Sequence, residues 1–199
     1  MFAPMNKASI RNLLGIPHGK KIIGFGAAYD IDNPKGVKGS YYLLRALRLL
    51  KNPSDYFIVV FGNAGPKFLS QLVIPYFSSG FISNEKILSL LYNACDVFVC
   101  PSLIENLPFT CLESIFCGIP VTAFNVGGIP DIIVHKETGY LATPYKAEEL
   151  AEGVEWCINH SSEVSRNCLA KAARDFNEEE TVDKMIRVYE YAANNHCAL

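Results

Sequence analysis

The chain has 199 residues, 50% of them hydrophobic and 19% charged, with a formal net charge of −2. That length and composition fit one folded domain with a substantial core and exclude a disordered or low-complexity chain. The near-neutral balance and the lack of a Lys/Arg cluster argue against a nucleic-acid footprint and against a polybasic lipid patch.

The opening MFAPMNKASIRNLLG lacks the apolar run of a signal peptide and reads as a short extended lead-in followed by a helix. Lys21-Ile-Ile-Gly-Phe-Gly-Ala27 reads as a first buried strand. Tyr41 to Leu50 puts Leu43, Leu44, Leu47 and Leu50 on one helical face. Tyr56 to Gly62 is a second buried strand, closed by the turn-forming Gly62-Asn-Ala-Gly-Pro66, and a third is expected within Val73 to Phe81. Glu85 to Ala94 is an amphipathic helix capped by Ser83 or Asn84. A fourth strand at Val97 to Cys100 leads to a helix over Pro108 to Cys117, with Gly118 suited to a left-handed cap. A fifth strand at Pro120 to Phe124 follows, then a short helix after the loop at 125–130 and a small strand at Gly139 to Ala142. Everything past Ala147 is expected to be helical, the last helix being capped by Asn177 with Glu180 three residues on. Strands alternating with helices predict an α/β fold with a parallel, doubly wound sheet. No apolar stretch reaches the length of a membrane-spanning helix.

The seven cysteines show no CxxC spacing and have mostly apolar neighbours, so they read as buried, reduced thiols of a cytosolic protein. The four histidines lie far apart and offer no metal-ligand spacing. Gly24-Phe-Gly26-Ala-Ala-Tyr29 begins like a dinucleotide fingerprint but has Tyr29 at the third glycine position, and no acidic residue ends a second strand. The small residues at Gly26 and Ala27 still allow close approach of a ligand. Asp30-Ile31-Asp32 has the spacing of a divalent-metal pair, yet two aspartates beside Asn33 and Pro34 are more often turn residues. Lys35 and Lys38, in Pro34-Lys-Gly-Val-Lys-Gly39, stand in a glycine-rich loop before a helix, where a lysine and free N–H groups can meet a phosphate.

The strongest signal is the pair Glu105 and Glu113, set among Leu103, Ile104, Leu107, Phe109, Leu112, Ile115 and Phe116. Carboxylates in apolar surroundings need a partner or a ligand. Pro108 starts the helix, leaving Glu105 on the loop and Glu113 in the second turn, with N–H groups near Phe109 and Thr110 open to an anion. The place expected is the crevice at the carboxyl ends of the strands. Two such carboxylates could also serve glycoside hydrolysis, which needs them on either side of one bond. A loop-plus-helix placement with an anion site between suits a phosphate ligand better.

These motifs resemble the C-terminal, donor-binding half of the retaining GT-B glycosyltransferases of family four. The resemblance is carried by Pro101-Ser102, Glu105 with Glu113, Cys117-Gly-Ile-Pro-Val121, Gly127-Gly-Ile-Pro-Asp131 and Thr138-Gly-Tyr-Leu141. Glu105-Asn-Leu-Pro108 and Phe25-Gly-Ala27 are similar to the subgroup that builds colanic-acid-type and other bacterial surface polysaccharides, lipopolysaccharide and capsule among them. The resemblance implies a Rossmann-like domain over 21–176, preceded by an interdomain lead-in and short helix at 1–20. It implies a C-terminal helix at 177–199 that crosses back to an N-terminal acceptor domain. It implies transfer from a nucleotide diphosphate sugar with retained configuration and without a metal or other cofactor, in the cytoplasm or at the inner face of the membrane. Carried over by residue, Lys38 meets the diphosphate with Lys35 as the alternative, Glu105 meets the donor sugar and Glu113 the ribose. Gly26 allows close approach, Phe81 lies beside the base, and the stretch Asn106, Leu107, Pro108, Phe109, Thr110 meets sugar and phosphate through its main chain. Two departures stand out: Ala27 occupies the position of the family's arginine, and Phe2-Ala-Pro4 resembles the linker into the second domain, so the acceptor half is absent. On that reading the partners are the nucleotide-sugar donor and the missing domain, with no nucleic acid and no membrane contact except through that domain. A non-catalytic nucleotide-binding or docking module is the alternative.

Overall fold

The computed structural model describes residues 2–29 and 31–195. In chain order the helices and strands are Lys7–Leu14 (α1), Lys21–Ala27 (β1), Ser40–Leu49 (α2), Tyr56–Gly62 (β2), Pro66–Leu69 (α3), Tyr76–Ser78 (β3), Glu85–Ala94 (α4) and Val97–Cys100 (β4). Phe109–Phe116 (α5), Val121–Phe124 (β5), Ile129–Ile132 (α6), Gly139–Ala142 (β6), Ala147–Asn159 (α7), Ser161–Asp175 (α8) and Glu178–Asn195 (α9) follow.

All strand pairs are parallel, in the order β3-β2-β1-β4-β5-β6. Chain connectivity runs outward one way from β1 and, after crossing back, outward the other way from β4. The reversal therefore falls between β1 and β4, where doubly wound sheets open a crevice at their carboxyl ends.

The strands alternate between two cores. Phe57, Val59 and Phe61 of β2 face one side with Tyr92, Phe98 and Ile115, while Ile58 and Val60 face the other with Leu43, Leu47 and Leu150. A sheet covered on both faces needs apolar residues at every position, which accounts for the unbroken runs in the sequence.

The expected elements are present, with boundary shifts that have local causes. The third strand is only three residues long, preceded by Pro75, which has no N–H for the ladder, and followed by the left-handed turn at Gly80. Pro108 is the N-cap of α5, one position ahead of the helix proper, and β5 begins at Val121 after Pro120. Asn84, not Ser83, caps α4, its side-chain oxygen accepting from the N–H groups of Lys86 and Ile87. Gly118 takes the left-handed conformation past α5, and Asn177 accepts from the Glu180 N–H at the start of α9.

The lead-in segment is fastened to the sheet. Asp96 accepts from Lys7 Nζ at 2.7 Å, Arg11 Nη2 at 2.8 Å and the Ile22 N–H at 2.7 Å. Asn93 accepts from the Met5 N–H and donates to the carbonyls of Ala3 and Ser89. Burial alone would raise the Asp96 carboxyl, but Lys7, the Ile22 N–H and Arg11 outweigh it and hold it below its ordinary value. Six cysteines are free and buried, and Cys197 lies outside the described residues. No helix among the described residues is long and apolar enough to cross a membrane.

Candidate functional site

A cleft opens over the carboxyl ends of β1, β2 and β4 in two adjoining chambers of about 240 and 190 Å³. Gly26, Ala27, Ala28, Phe109 and Thr110 are walls of both. The floor is tight at Gly26: a Cβ there would come within 2.2 Å of the Phe61 ring. Helix α5 starts at this shared wall, and its leading N–H groups, those of Phe109 and Thr110, have no acceptor within the helix.

The outer chamber holds Lys38 and Glu105. Lys38 Nζ donates to Glu105 Oε1 at 2.5 Å, across 67 positions of sequence. The two side chains are only 17% and 13% exposed, so the pair is largely removed from water. Burial lowers the affinity of the Lys38 ammonium for its proton, yet the hydrogen bond and charge of Glu105 outweigh this and hold it above its ordinary value. Lys38 is therefore fully charged near neutral pH. It is the one Lys or Arg among the described residues lining either chamber. Its ammonium also lies 5.3 Å over the Tyr29 ring, a cation–π contact at the cleft mouth.

Two loops carry this pair, and glycines lock them together. The Leu103 N–H donates to the Val37 carbonyl at 2.7 Å. Gly39, at φ 66°, lies so close to Pro101 that a Cβ would fall 1.8 Å from its carbonyl oxygen. Behind the same loop Gly127, at φ 53°, packs on the Glu105 carbonyl, where a Cβ would come within 1.7 Å, and Gly128 on that of Asn106. Backbone cannot yield as a flexible side chain can, so only glycine fits at Gly39 and Gly127.

The inner chamber is mostly apolar, with Phe61, Phe81, Ile82 and Leu88 around one carboxylate, Glu113. Tyr92 of α4 donates its phenol O–H to Glu113 Oε2 at 2.7 Å. Burial raises the Glu113 carboxyl above its ordinary value, the Tyr92 hydrogen bond opposes this, and the charge of Glu85 adds to it.

The structure thus brings Gly26, Lys38, Phe81, Glu105, Leu107, Pro108, Phe109, Thr110 and Glu113 to one cleft. It leaves out Lys35, whose side chain is exposed on the loop and lines neither chamber. Asn106 contributes a carbonyl packed on Gly128 and lies outside the lining. Asp32 does another job: its Oδ1 accepts from the N–H groups of Gly65 and Phe68 and so caps α3. Asp30 lies outside the described residues, among which no group of three potential ligands could hold a metal.

Tyr29 and Tyr92 were not expected at the site. Tyr29 counted only against a dinucleotide fingerprint, although its place after the small residues ending β1 puts it at the crevice. Tyr92 lay on the apolar face of its helix, where a buried phenol requires a partner. That requirement was the available signal.

Residues 6–176 match the family model of glycosyl transferases group 1. The chain belongs to that family. It is 25% identical over 200 residues to a D-inositol 3-phosphate glycosyltransferase of Mycobacteroides abscessus, covering 95% of this chain and 43% of the relative. Among solved structures, Anabaena HepE in complex with UDP and glucose superposes with a TM-score of 0.81 at 22% identity, over 96% of this chain and 54% of the other. The C-terminal domain of a glycosyl transferase group 1 family protein from Francisella tularensis gives a TM-score of 0.72 at 26% identity, covering 89% of this chain and 96% of that one. The chain thus spans less than half the length of the curated relatives it matches. The six-stranded Rossmann-like α/β sheet with flanking helices is the architecture it shares with GT-B glycosyltransferases.

Proposed function

We propose that this chain is the donor-binding domain of a retaining glycosyltransferase of hexosyltransferase type. The whole enzyme would transfer a sugar from a nucleotide diphosphate sugar to a glycan or lipid-linked acceptor in bacterial surface-polysaccharide biosynthesis. The observation that carries this reading is the meeting of Lys38, Glu105 and the amino end of α5 at the strand reversal. An ammonium and unpaired helix N–H groups are what a departing diphosphate requires, aimed where its charge develops, with no metal called for. Glu105, steadied by Lys38, would take the donor-sugar hydroxyls. Glu113 would take the ribose, and the apolar wall with Phe81 the base. The Anabaena neighbour was solved with UDP and glucose, which supports a nucleotide-sugar ligand for this cleft. A hydrolytic carboxylate pair is less well supported, because Glu105 is ion-paired and Glu113 is held by a phenol.

The acceptor site belongs, on this reading, to a second, N-terminal domain. Helix α9 supports it, with Val182, Met185, Ile186 and Tyr189 exposed at the i, i+3, i+4, i+7 spacing of a packing stripe. The protein would work in the cytoplasm or at the inner membrane face, touching membrane only through that domain. Titration of UDP-, GDP- and ADP-sugars against wild type and Glu113→Ala tests the assignment. Weak binding of a donor nucleotide, loosened by Glu113→Ala, is expected, with little or no sugar transfer. No binding of any of the three overturns the donor-domain reading, and robust transfer by the 199-residue chain overturns the half-site reading.

A further inference from the structure

We propose that Tyr92 is the positioning residue of the nucleotide-ribose subsite, its buried phenol holding the Glu113 carboxylate where the vicinal diol of a ribose meets it. The inference rests on the reading of Glu113 as the ribose contact and adds to it the group that makes that contact specific.

Glutamate on a helix surface has several rotatable bonds, and a carboxylate left to itself turns toward water. Here one oxygen, Oε2, accepts from Tyr92 Oη at 2.7 Å. The phenol cannot follow the carboxylate outward. Tyr92 is fully buried and wedged by edge contacts with Phe2, Phe61 and Phe98, at ring-centroid distances of 6.0, 5.1 and 5.3 Å. A phenol has a single proton to donate, and a carboxylate offers about four acceptor positions. One donation from Tyr92 fixes the carboxylate in place and leaves capacity for two hydroxyl donors on neighbouring carbons. The chamber that Tyr92 and Glu113 line supplies the rest of a nucleoside site, apolar walls and about 190 Å³ of space. Phe61 joins the two subsites, since its ring packs on Tyr92 and also closes the floor beneath Gly26.

The same bond sets how the carboxylate titrates. The groups acting on Glu113 are Tyr92 and Glu85 of α4, and Cys117, the residue just past the end of α5, lies near it. Burial and the Glu85 charge push its carboxyl up, and Tyr92 opposes them. Without the phenol the carboxyl moves higher, and the ionised form that best accepts two O–H groups is lost at a higher pH.

The test is the ratio of affinities for UDP and 2′,3′-dideoxy-UDP, measured by titration calorimetry on the 199-residue chain. Wild type is expected to favour UDP by at least about tenfold, as hydrogen bonds to a charged acceptor do. Tyr92→Phe keeps the ring and its packing, and a thermal unfolding curve verifies that it folds. It is expected to cut the ratio several-fold at neutral pH and to move the acid-side loss of the remaining ribose preference to higher pH. A purely structural role would weaken both nucleotides alike and leave the ratio unchanged, which would overturn the inference. Glu113→Asp provides a second check, because a carboxylate shortened by one methylene cannot reach both the phenol and the diol. Retention of the wild-type ratio in Glu113→Asp would also overturn it. Binding of neither nucleotide by wild type removes the donor-domain reading and this inference together; a wild-type preference that survives undiminished in Tyr92→Phe removes the inference alone.

Discussion

Lys38→Met isolates the electrostatics of the cleft, because the methionine keeps most of the stem volume and removes the charge. Two effects add. The variant loses a charge-assisted contact to the diphosphate, worth about 1.5–3 kcal/mol. It also strips Glu105 of its partner and leaves a carboxylate 13% exposed beside the place where an anion must sit. For unit charges about 6 Å apart at an effective dielectric constant of about 20, that repulsion is about 3 kcal/mol. Together they predict a loss of UDP affinity of about a thousandfold or more. The double variant Lys38→Met/Glu105→Gln removes the repulsion and keeps only the first loss, so binding returns to within about 10- to 150-fold of wild type. Glu105→Gln alone frees the ammonium and is expected to bind UDP at least as tightly as wild type, while weakening UDP-sugar. Calorimetry at low salt, where screening is small, compares all four proteins. If the double variant binds UDP no better than Lys38→Met, Lys38 does not shield Glu105 from the ligand, and the electrostatic account of the cleft is wrong.

Gly127→Ala forces a Cβ to 1.7 Å from the Glu105 carbonyl at a positive φ, so a loss of more than about 2 kcal/mol in a urea melt is expected. A midpoint within error of wild type would show that the loop bearing Glu105 gives way. Asp96→Ala removes the anchor shared by Lys7, Arg11 and the Ile22 N–H and should cost about 3 kcal/mol. Because the Asp96 carboxyl lies below its ordinary value when folded, its contribution is present above the unfolded-state value of about 4 and is lost as pH falls through the folded one. The stability gap between wild type and Asp96→Ala should therefore narrow in acid, and a gap that widens there refutes the assignment. Burial raises the thiols of Cys95, Cys117, Cys157 and Cys168, Cys157 to about 12, whereas the hydrogen bond with Cys111 holds the Cys100 thiol below its ordinary value. Dithionitrobenzoate should label the six described cysteines only on unfolding, and rapid labelling of several in the native protein would contradict their burial.

Much of the fold was legible in the chain. The unbroken apolar runs from Lys21 to Ala27 and from Tyr56 to Gly62 announce strands buried on both faces, because such strands have no polar side to show. The helix over Glu85–Ala94 carries its periodicity and cap locally, and its observed limits match the expected ones. Where Pro75 precedes a strand, or Pro108 a helix, the expected limits moved by one or a few residues. The chain's pattern says that an element is there, and hydrogen bonding decides where it starts. The cleft was legible to the extent that its parts lie close in sequence, as Leu107 to Glu113 do.

The sequence by itself determined the parallel α/β class, the loop-and-helix placement of Glu105 and Glu113, and the motifs by which the chain resembles its family. Each is assembled from periods, caps and spacings that are local in the sequence. Only the tertiary structure decided the partnerships: Lys38 with Glu105, Tyr92 with Glu113, Asp96 with Lys7 and Arg11, and Gly127 behind Glu105. It also placed Lys35 outside the lining of both chambers and showed Asp32 accepting from the N–H groups at the start of α3. The physical reason is the strand order. The sheet reverses between β1 and β4, bringing loops 67 residues apart to one crevice, and no local propensity encodes that meeting.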